Sequence, residues 1–224
     1  MSTIFYYTNA WKQLSDTLLK KSYSSVFVLV DNNTKSHCLS HFEQQFSHPY
    51  NLLTIDAGEA NKHIGTCEQL WSSLSQLGAD RNSLLLNLGG GVVTDLGGFV
   101  ACTYKRGIDF INIPTSLLAM VDASIGGKTG VDLQGLKNQI GIIREPAFVV
   151  IDDSFLTTLP SNEFRSGYAE MLKHGLIADA DYFSNLATEK LNKKSTISNH
   201  IRRSVEIKHL SLIHISEPTR PDEI

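Results

Sequence analysis

Cysteine is scarce in this sequence of 224 residues, and no two of its three cysteines form a CxxC pair. Cys38, Cys67 and Cys102 are odd in number and widely spaced, which argues against a disulfide framework and against a cysteine-based zinc site. Reduced thiols in a cytosolic protein are the simpler interpretation. The first eleven residues also lack the basic start and apolar run of a signal peptide. We therefore expect a cytoplasmic protein.

Long apolar runs and a surplus of positive charge are missing as well. No stretch approaches the roughly 20 apolar residues that a membrane span needs. The net charge is −3 and the pI is near 6.2, so the overall charge gives no support for the basic stripe of a nucleic-acid-binding protein. We expect no nucleic acid and no membrane among the partners. The hydrophobic fraction of 42% is ordinary for a soluble folded protein.

Short apolar runs alternate with helix-length polar segments up to about residue 151. Continuous apolar runs of this length are typical of strands covered on both faces, as in a parallel sheet. The runs are 26–30, 52–55, 83–88, 110–113 and 148–151. Residues 68–77 carry apolar side chains at helical spacing, and Gly78 ends that helix. The alternation predicts a doubly wound α/β domain.

The periodicity becomes helical after Asp153. Apolar residues recur at helical spacing up to Ile177, and we expect Ser161 to be the N-cap of this helix. No strand-like run follows. We therefore divide the chain into an α/β domain over residues 1–152, a helical domain over 153–211 and an irregular, non-native tail over 212–224, which has two prolines and no apolar periodicity.

A glycine-rich loop, residues 88–98 (LGGGVVTDLGG), follows the third apolar run. Glycines before a helix let backbone amides approach a phosphate, and the helix dipole favours the negative charge. The dinucleotide fingerprint is imperfect, because Thr94 stands where the third glycine belongs. A strand-to-helix turn without a ligand remains the alternative.

Asp31 ends the first apolar run, where a carboxylate can accept hydrogen bonds from a ribose diol. In the Rossmann pattern the acid follows the glycine loop by about 20 residues, whereas Asp31 precedes the loop. The residue therefore indicates either a nucleotide site of different topology or a simple turn.

Residues 126–130 (GGKTG) contain the GKT triplet of phosphate-binding loops. The spacing excludes a P-loop, because the first glycine of GxxxxGK[ST] would fall at Asp122. A lysine between glycines can still reach a phosphate or carboxylate as a point charge. Gly135, Lys137 and Asn138 add another polar loop shortly afterwards. Several such loops at the ends of elements indicate a large polar ligand.

Glu170, Lys173 and His174 occupy positions i, i+3 and i+4 of the predicted helix and share one face. A carboxylate and an imidazole at this spacing can contribute to a metal site. An exposed ion pair is the alternative. His209 and His214 lack ligand-like spacing, and we interpret them as surface residues.

Together these motifs resemble the 3-dehydroquinate synthases, a family within the sugar phosphate cyclase group. The resemblance extends from about residue 27 to about residue 209. It is carried by residues 89–99 (GGGVVTDLGGF), 113–130 (IPTSLLAMVDASIGGKTG), 136–141 (LKNQIG) and 164–175 (FRSGYAEMLKHG). Long contiguous matches are more specific than one glycine loop.

The resemblance implies a Rossmann-like NAD-binding α/β domain followed by an all-helical metal-binding domain, with NAD and zinc or cobalt as cofactors. The implied NAD contacts are Asp31, Asn33, Glu59, Lys62, Gly90, Gly91, Val92, Asp95, Thr115, Ser116, Asp122, Ser124, Lys128 and Lys137. The implied catalytic, substrate-binding residues are Lys128, Lys137, Asn138 and Lys173, and Arg106 would reach the substrate phosphate of the neighbouring subunit in a homodimer. Glu170 matches the first metal ligand, and His174 stands at a position that the family does not use for the metal.

The implied reaction converts a small sugar-acid phosphate, 3-deoxy-D-arabino-heptulosonate 7-phosphate, to 3-dehydroquinate and phosphate, a step of the shikimate pathway to aromatic amino acids. The later family motif with the other two metal-ligating histidines is absent from this sequence. We therefore expect an incomplete helical domain, weak metal and NAD binding and little activity of this chain by itself. The alternatives are another sugar phosphate cyclase, an NAD- and metal-dependent enzyme of the glycerol dehydrogenase type, and a nucleotide-binding fragment without turnover.

Overall fold

The computed structural model describes residues 3–188 and 197–214. Its strands are β1 (Thr3–Tyr6), β2 (Val26–Asp31), β3 (Asn51–Ile55), β4 (Leu84–Gly89), β5 (Asp109–Pro114), β6 (Lys128–Leu133), β7 (Leu136–Ile143) and β8 (Phe148–Ile151). Six of them form one sheet in the order β1-β8-β5-β4-β2-β3, and every neighbouring pair in it is parallel. All five apolar runs are strands of this sheet, which confirms the predicted α/β class.

Two strand regions were missed by the sequence analysis. β1 pairs with β8 at one edge of the sheet and is only half-buried, so its four residues form no continuous buried run. β6 and β7 form an antiparallel hairpin where polar loops were expected, and that expectation was wrong for these segments. β7 is exposed along nearly its whole length, so no buried face imposes an apolar pattern on it.

The helices are α1 (Tyr7–Lys20), α2 (Asn32–His37), α3 (Leu39–Gln45), α4 (Ile64–Gln76), α5 (Gly91–Thr103), α6 (Ser161–Ala178), α7 (Ala180–Thr188) and α8 (Ile197–His214). None of the helices in the described part of the chain is both long enough and apolar enough to cross a bilayer. α4 begins earlier than predicted because His63 caps it, with Nδ1 accepting a hydrogen bond from the Thr66 amide.

Two predicted boundaries of the helical part were wrong. Pro160, not Ser161, is the N-cap of α6, since its carbonyl oxygen accepts the first helical hydrogen bond from Phe164. α8 continues to His214, so residues 212–214 of the expected irregular tail are helical. No proline lies between Ile197 and Pro218, so none breaks the helix before His214. Residues 215–224 lie outside the described residues.

Buried side chains form one cluster on each face of the sheet. Along β2, Phe27 and Leu29 face the cluster that contains α4 and α5, while Val26, Val28 and Val30 face the other. The second cluster joins α1 and α3 to α6, α7 and α8 through completely or almost completely buried residues. Each large side chain buried in this way contributes roughly 1.5–3 kcal/mol. The helical segment after residue 153 therefore shares its core with the sheet.

Candidate active site

The glycine loop lies where β4 runs directly into α5. Gly90 is the N-cap of α5, and Gly91 and Val92 form its first turn. A Cβ atom at Gly89 would lie 2.5 Å from the Val93 side chain, so this turn needs glycine. The free amides of the first turn open at the carboxyl edge of the sheet, which gives a helix N-terminus suited to a phosphate group.

Asp31 ends β2, the neighbour of β4, and caps α2. Its Oδ1 accepts a hydrogen bond of 2.7 Å from the Thr34 amide, and Thr34 Oγ1 accepts one of 2.9 Å from the Asp31 amide. This capping box gives Asp31 a structural role in addition to its place at the carboxyl edge. Asn33 is exposed in the first turn of α2.

Lys62 is a buried cation, with 3% of its surface exposed. Its Nζ donates hydrogen bonds of 2.6 Å to both Asp95 Oδ2 on α5 and Asn138 Oδ1 on β7. Burial raises the pKa of Asp95, and the charge of Lys62 opposes that shift. Because a buried charge without a partner is costly, this contact fixes the hairpin against α5. Sequence reasoning placed Lys62 in the site but gave no sign of its burial.

Glu59 and Lys137 form an ion pair on the outer side of the same region. Lys137 Nζ lies 3.2 Å from Glu59 Oε1, and the Lys137 side chain is 70% exposed. An ion pair so open to solvent contributes at most about 1 kcal/mol. The Lys137 ammonium group therefore lies near the site, and its ion pair contributes little to the stability of the fold.

A cavity of about 540 Å³ joins residues that the sequence analysis assigned separately to the cofactor and to the substrate. Its charged and polar lining includes Asp95, Asp122, Lys128, Asn138 and Lys208. Lys128 is exposed at the start of β6. The combination of carboxylates, an amide and lysines suits a ligand with both hydroxyl and anionic groups.

The segment after β5 carries the remaining candidates for cofactor binding. The Thr115 amide donates to the Gly89 carbonyl at 3.0 Å, Ser116 Oγ faces Gly90, and Asp122 lies in a single π-helical turn, Ala119–Ala123. The Ser124 hydroxyl is buried and has no hydrogen-bond partner among the described residues. A buried hydroxyl in this state can take a partner from outside the chain, and the amide of a bound cofactor would supply one. These residues therefore fit NAD.

A second cavity, of about 300 Å³, lies where α6 and α8 meet. Glu170, Lys173, His174 and Lys208 are among its lining residues. Asp122, Glu170 and His174 each offer one potential ligand atom, and these atoms lie within 4.8 Å of one another. Lys173 Nζ lies 2.9 Å from Glu170 Oε1, and Lys208 Nζ lies 2.5 Å from Asp122 Oδ1. Oxygen and imidazole ligands of this kind fit zinc or cobalt.

The charges in this second cavity follow from burial and pairing. Burial lowers the pKa of His174, while Glu170 and Asp122 oppose the shift. The hydrogen bond to Glu170 raises the pKa of Lys173. At neutral pH the imidazole is therefore uncharged and the ammonium group is charged. Sequence reasoning missed Lys208, whose approach to Asp122 follows no spacing rule, and it did not assign His174 to the metal.

Arg106 lies apart from these residues. It shares a cavity of about 560 Å³ with Asp80, Arg81, Asn82 and Lys105. These residues precede β4 and β5, so they lie at the amino edge of the parallel sheet, opposite the glycine loop. Lys105 and Arg106 both have a positive φ, 49° and 71°. The structure thus does not bring Arg106 to the site of its own chain.

Comparison with known proteins places this geometry in a family. A 3-dehydroquinate synthase of Parabacteroides distasonis is 43% identical over 199 residues, which cover 88% of this chain and 56% of that protein. The chain thus spans about half the length of the curated relatives it matches.

Solved structures agree in fold. The 2-epi-5-epi-valiolone synthase of Streptomyces hygroscopicus, solved with NAD⁺ and Zn²⁺, matches with a TM-score of 0.79 and 27% identity over 96% of this chain and 63% of its own. A 2-deoxy-scyllo-inosose synthase, solved with carbaglucose 6-phosphate, NAD⁺ and Co²⁺, matches with a TM-score of 0.81 at 22% identity, over 93% of this chain and 59% of its own. The family model described as 3-dehydroquinate synthase N-terminal matches residues 52–166, and the chain belongs to that family.

Proposed function

We propose that this chain supplies the NAD site, the first metal ligand and much of the substrate site of a 3-dehydroquinate synthase. The complete protein would convert 3-deoxy-D-arabino-heptulosonate 7-phosphate to 3-dehydroquinate and phosphate. The observation that carries this proposal is the cavity lined by Asp95, Asp122, Lys128 and Asn138, which Lys208 connects to the Glu170 cluster. The identity of 43% to a 3-dehydroquinate synthase supports the choice of reaction.

The proposed NAD site follows the carboxyl edge of the sheet. Asp31 and Asn33 would bind the adenosine ribose, with Glu59 and Lys62 nearby. The amides of Gly90, Gly91 and Val92 would bind the pyrophosphate at the start of α5. Thr115, Ser116, Asp122 and Ser124 would line the nicotinamide half, where the Ser124 hydroxyl gains the partner that it lacks.

NAD, when bound, accepts and returns a hydride, and a divalent metal polarises a substrate hydroxyl. The protein's own groups position the substrate. Lys128, Lys137 and Lys173 offer positive charges to its carboxylate and phosphate. Lys62 holds Asn138 and Asp95 at 2.6 Å, which fixes the wall of the cavity before the substrate arrives.

Arg106 would complete the phosphate site of a second copy in a homodimer. Its place at the amino edge of the sheet, away from the cavity of its own chain, supports that assignment. In an extended protein, we expect Arg106→Ala and Lys128→Ala homodimers each to be inactive. Mixed dimers of the two variants should recover activity, because one site then has both residues. Mixed dimers without activity would sink the assignment of Arg106.

The deciding experiment compares this chain with a version extended to the length of its relatives. Phosphate release from the heptulosonate phosphate is measured with NAD and zinc added. We expect turnover by the extended protein, a loss of turnover in its Lys128→Ala variant, and little turnover by this chain alone. Unchanged turnover in Lys128→Ala would remove Lys128 from the mechanism, and robust activity of the 224 residues would show that the remaining length is dispensable.

Another sugar phosphate cyclase is the second candidate, because the solved 2-epi-5-epi-valiolone synthase shares the fold at 27% identity. Product analysis separates the two: a dehydroquinate product supports the proposal, and a different cyclitol from another sugar phosphate supports the alternative. Net NADH formation from a simple polyol would instead indicate an enzyme of the glycerol dehydrogenase type, since the proposed reaction returns its hydride.

A further inference from the structure

Asn138 lies in an irregular part of the β6–β7 hairpin. The strand register shifts between Val131 and Leu133, where residues 137–139 of β7 face a single residue of β6. Asn138 is the middle one of these residues and has a positive φ of 54°. A bulge of this kind takes a residue out of the regular ladder and redirects its side chain. Asparagine tolerates such a backbone better than most residues, and here it lines the cavity of about 540 Å³.

Two hydrogen bonds fix the orientation of Asn138. Its backbone amide donates to Asp132 Oδ1 at 2.8 Å, and its Oδ1 accepts from Lys62 Nζ at 2.6 Å. An ammonium group has donors only, so the side-chain atom that faces Lys62 is the amide oxygen and not the amide nitrogen. Lys62 is itself held in place, because it is buried and donates a second hydrogen bond to Asp95 Oδ2.

The amide nitrogen of Asn138 is thereby left for a ligand. Nδ2 has no hydrogen-bond partner among the described residues, and the side chain is exposed at the cavity. A carboxamide without a fixed partner can turn over and offer either its oxygen or its NH₂ group to a ligand. Lys62 excludes the turned form, which would bring two N–H groups against a buried cation and leave that cation without an acceptor. The bound ammonium also polarises the amide, which makes its N–H groups stronger donors.

We propose that Lys62 is a positioning residue that acts through Asn138: it holds the amide oxygen, so that only the Nδ2 protons face the cavity, and this position then selects an oxyanion of the substrate. The inference deepens the proposed function, on which it rests, because it assigns the source of selectivity within the same site. The oxyanion is a phosphate or a carboxylate oxygen, since both only accept hydrogen bonds when ionised. A ligand group that can only donate is rejected there.

The first test observes the side-chain amide of Asn138 directly. A ¹H–¹⁵N spectrum of this chain is recorded during a titration with inorganic phosphate and, separately, with acetate. We expect the Nδ2 protons of Asn138 to move downfield as the anion binds. The anion that binds more tightly identifies the source, phosphate or carboxylate. No response to either anion overturns the proposal.

The second test asks whether Lys62 acts through Asn138. Lys62→Met combined with Asp95→Leu removes one charge of each sign, so the net charge of the cavity wall is unchanged. This double variant should bind the anion about tenfold more weakly, because the amide is no longer oriented. Asn138→Gly, which keeps the positive φ without strain, should cause a similar loss. The triple variant should lose no more than either, and losses that add would overturn the proposal.

Asn138→Asp separates this role from a purely structural one. Aspartate has the same shape and still accepts from Lys62, so the variant should unfold at the same urea concentration as the unmodified chain. It has no N–H group and adds a negative charge, so it should lose the response to both anions. A folded Asn138→Asp variant with unchanged anion affinity would overturn the proposal.

The matched control is Lys35→Met combined with Asp56→Asn, which removes one charge of each sign at exposed positions. It should bind the anion as the unmodified chain does. Circular dichroism checks that each variant is folded. None of these measurements needs turnover, so a failure of the proposed reaction gives a distinct result.

Discussion

Lys62 Nζ lies 2.6 Å from Asp95 Oδ2, in a place where only 4% of the lysine side chain is exposed. We predict that Lys62→Met destabilises the fold by about 3–5 kcal/mol, because Asp95 is left as a buried charge without its partner. Urea unfolding measures the change. The double variant Lys62→Met with Asp95→Leu should regain most of the loss, and Lys35→Met on exposed α2 is the control. A single variant as stable as the original would contradict the role of this pair.

Gly167 sets how closely α6 approaches the segment that carries Asp122. A Cβ atom there would lie 2.5 Å from the Leu118 backbone nitrogen, which cannot move aside like a side-chain tip. We predict that Gly167→Ala costs about 1–3 kcal/mol in the free energy of unfolding and weakens Co²⁺ binding, since α6 carries Glu170 and His174. Ser166→Ala, on the exposed face of the same helix, should change neither quantity. Wild-type stability in Gly167→Ala would mean that α6 can shift freely.

Asp152 links stability to pH. Burial raises its pKa, but hydrogen bonds from His41, Ser154 and Trp11 outweigh burial and hold the pKa below its ordinary value. A carboxyl group with a lowered pKa stabilises the fold above its unfolded pKa of about 3.9, and this stability is lost as the pH falls through the folded pKa. Asp152→Asn should therefore cost about 1–3 kcal/mol at pH 7 and progressively less below about pH 4.

Thermal unfolding at a series of pH values measures this difference. Asp56→Asn, at an exposed position, should give a curve parallel to that of the unmodified chain. A cost of Asp152→Asn that stays constant down to pH 3 would show that its hydrogen bonds do not depend on the charge.

Lys208 pairs with Asp122, one of three neighbouring residues whose ligand atoms could hold a metal ion. The ammonium group lies 2.5 Å from Asp122 Oδ1 and its side chain is 25% exposed. We predict that Lys208→Met tightens Co²⁺ binding roughly tenfold, because the carboxylate then lacks its other cation. Lys208→Arg keeps the charge and should bind Co²⁺ like the unmodified chain. Weaker binding in Lys208→Met would place Lys208 outside this competition.

The central sheet could be predicted from the sequence because its strands are buried. The β6–β7 hairpin could not, because its second strand is exposed. The five apolar runs are strands because a parallel sheet is covered on both faces, so its sequence signal is continuous. β7 is exposed and stabilised by its pairing with β6, so no apolar period identifies it. The burial of Lys62 could not be predicted for a different reason. Lysine is usually exposed, and no neighbouring residue in the sequence indicates a buried ion pair with Asp95.

Some residues of the candidate metal site could be predicted from the sequence, and others could not. Glu170 and His174 share a helix, so their i, i+4 spacing was visible in the sequence. Asp122 and Ser204 reach His174 and Glu170 only through the packing of the π-helical turn and α8 against α6. Sequence spacing carries no information on such contacts.

The pairing of β1 with β8 joins two strands that are far apart in the sequence, so it can form only late in folding. Of the six described strands of this sheet, Thr3–Tyr6 comes first in the sequence, and its partner Phe148–Ile151 comes last. A nascent chain therefore exposes β1 without a neighbour until nearly all of the sheet has left the ribosome. Contacts so far apart in sequence slow folding, because a long loop must close before they form. The edge strand β1 is thus added to the sheet late, after β2, β4 and β5 can already pair.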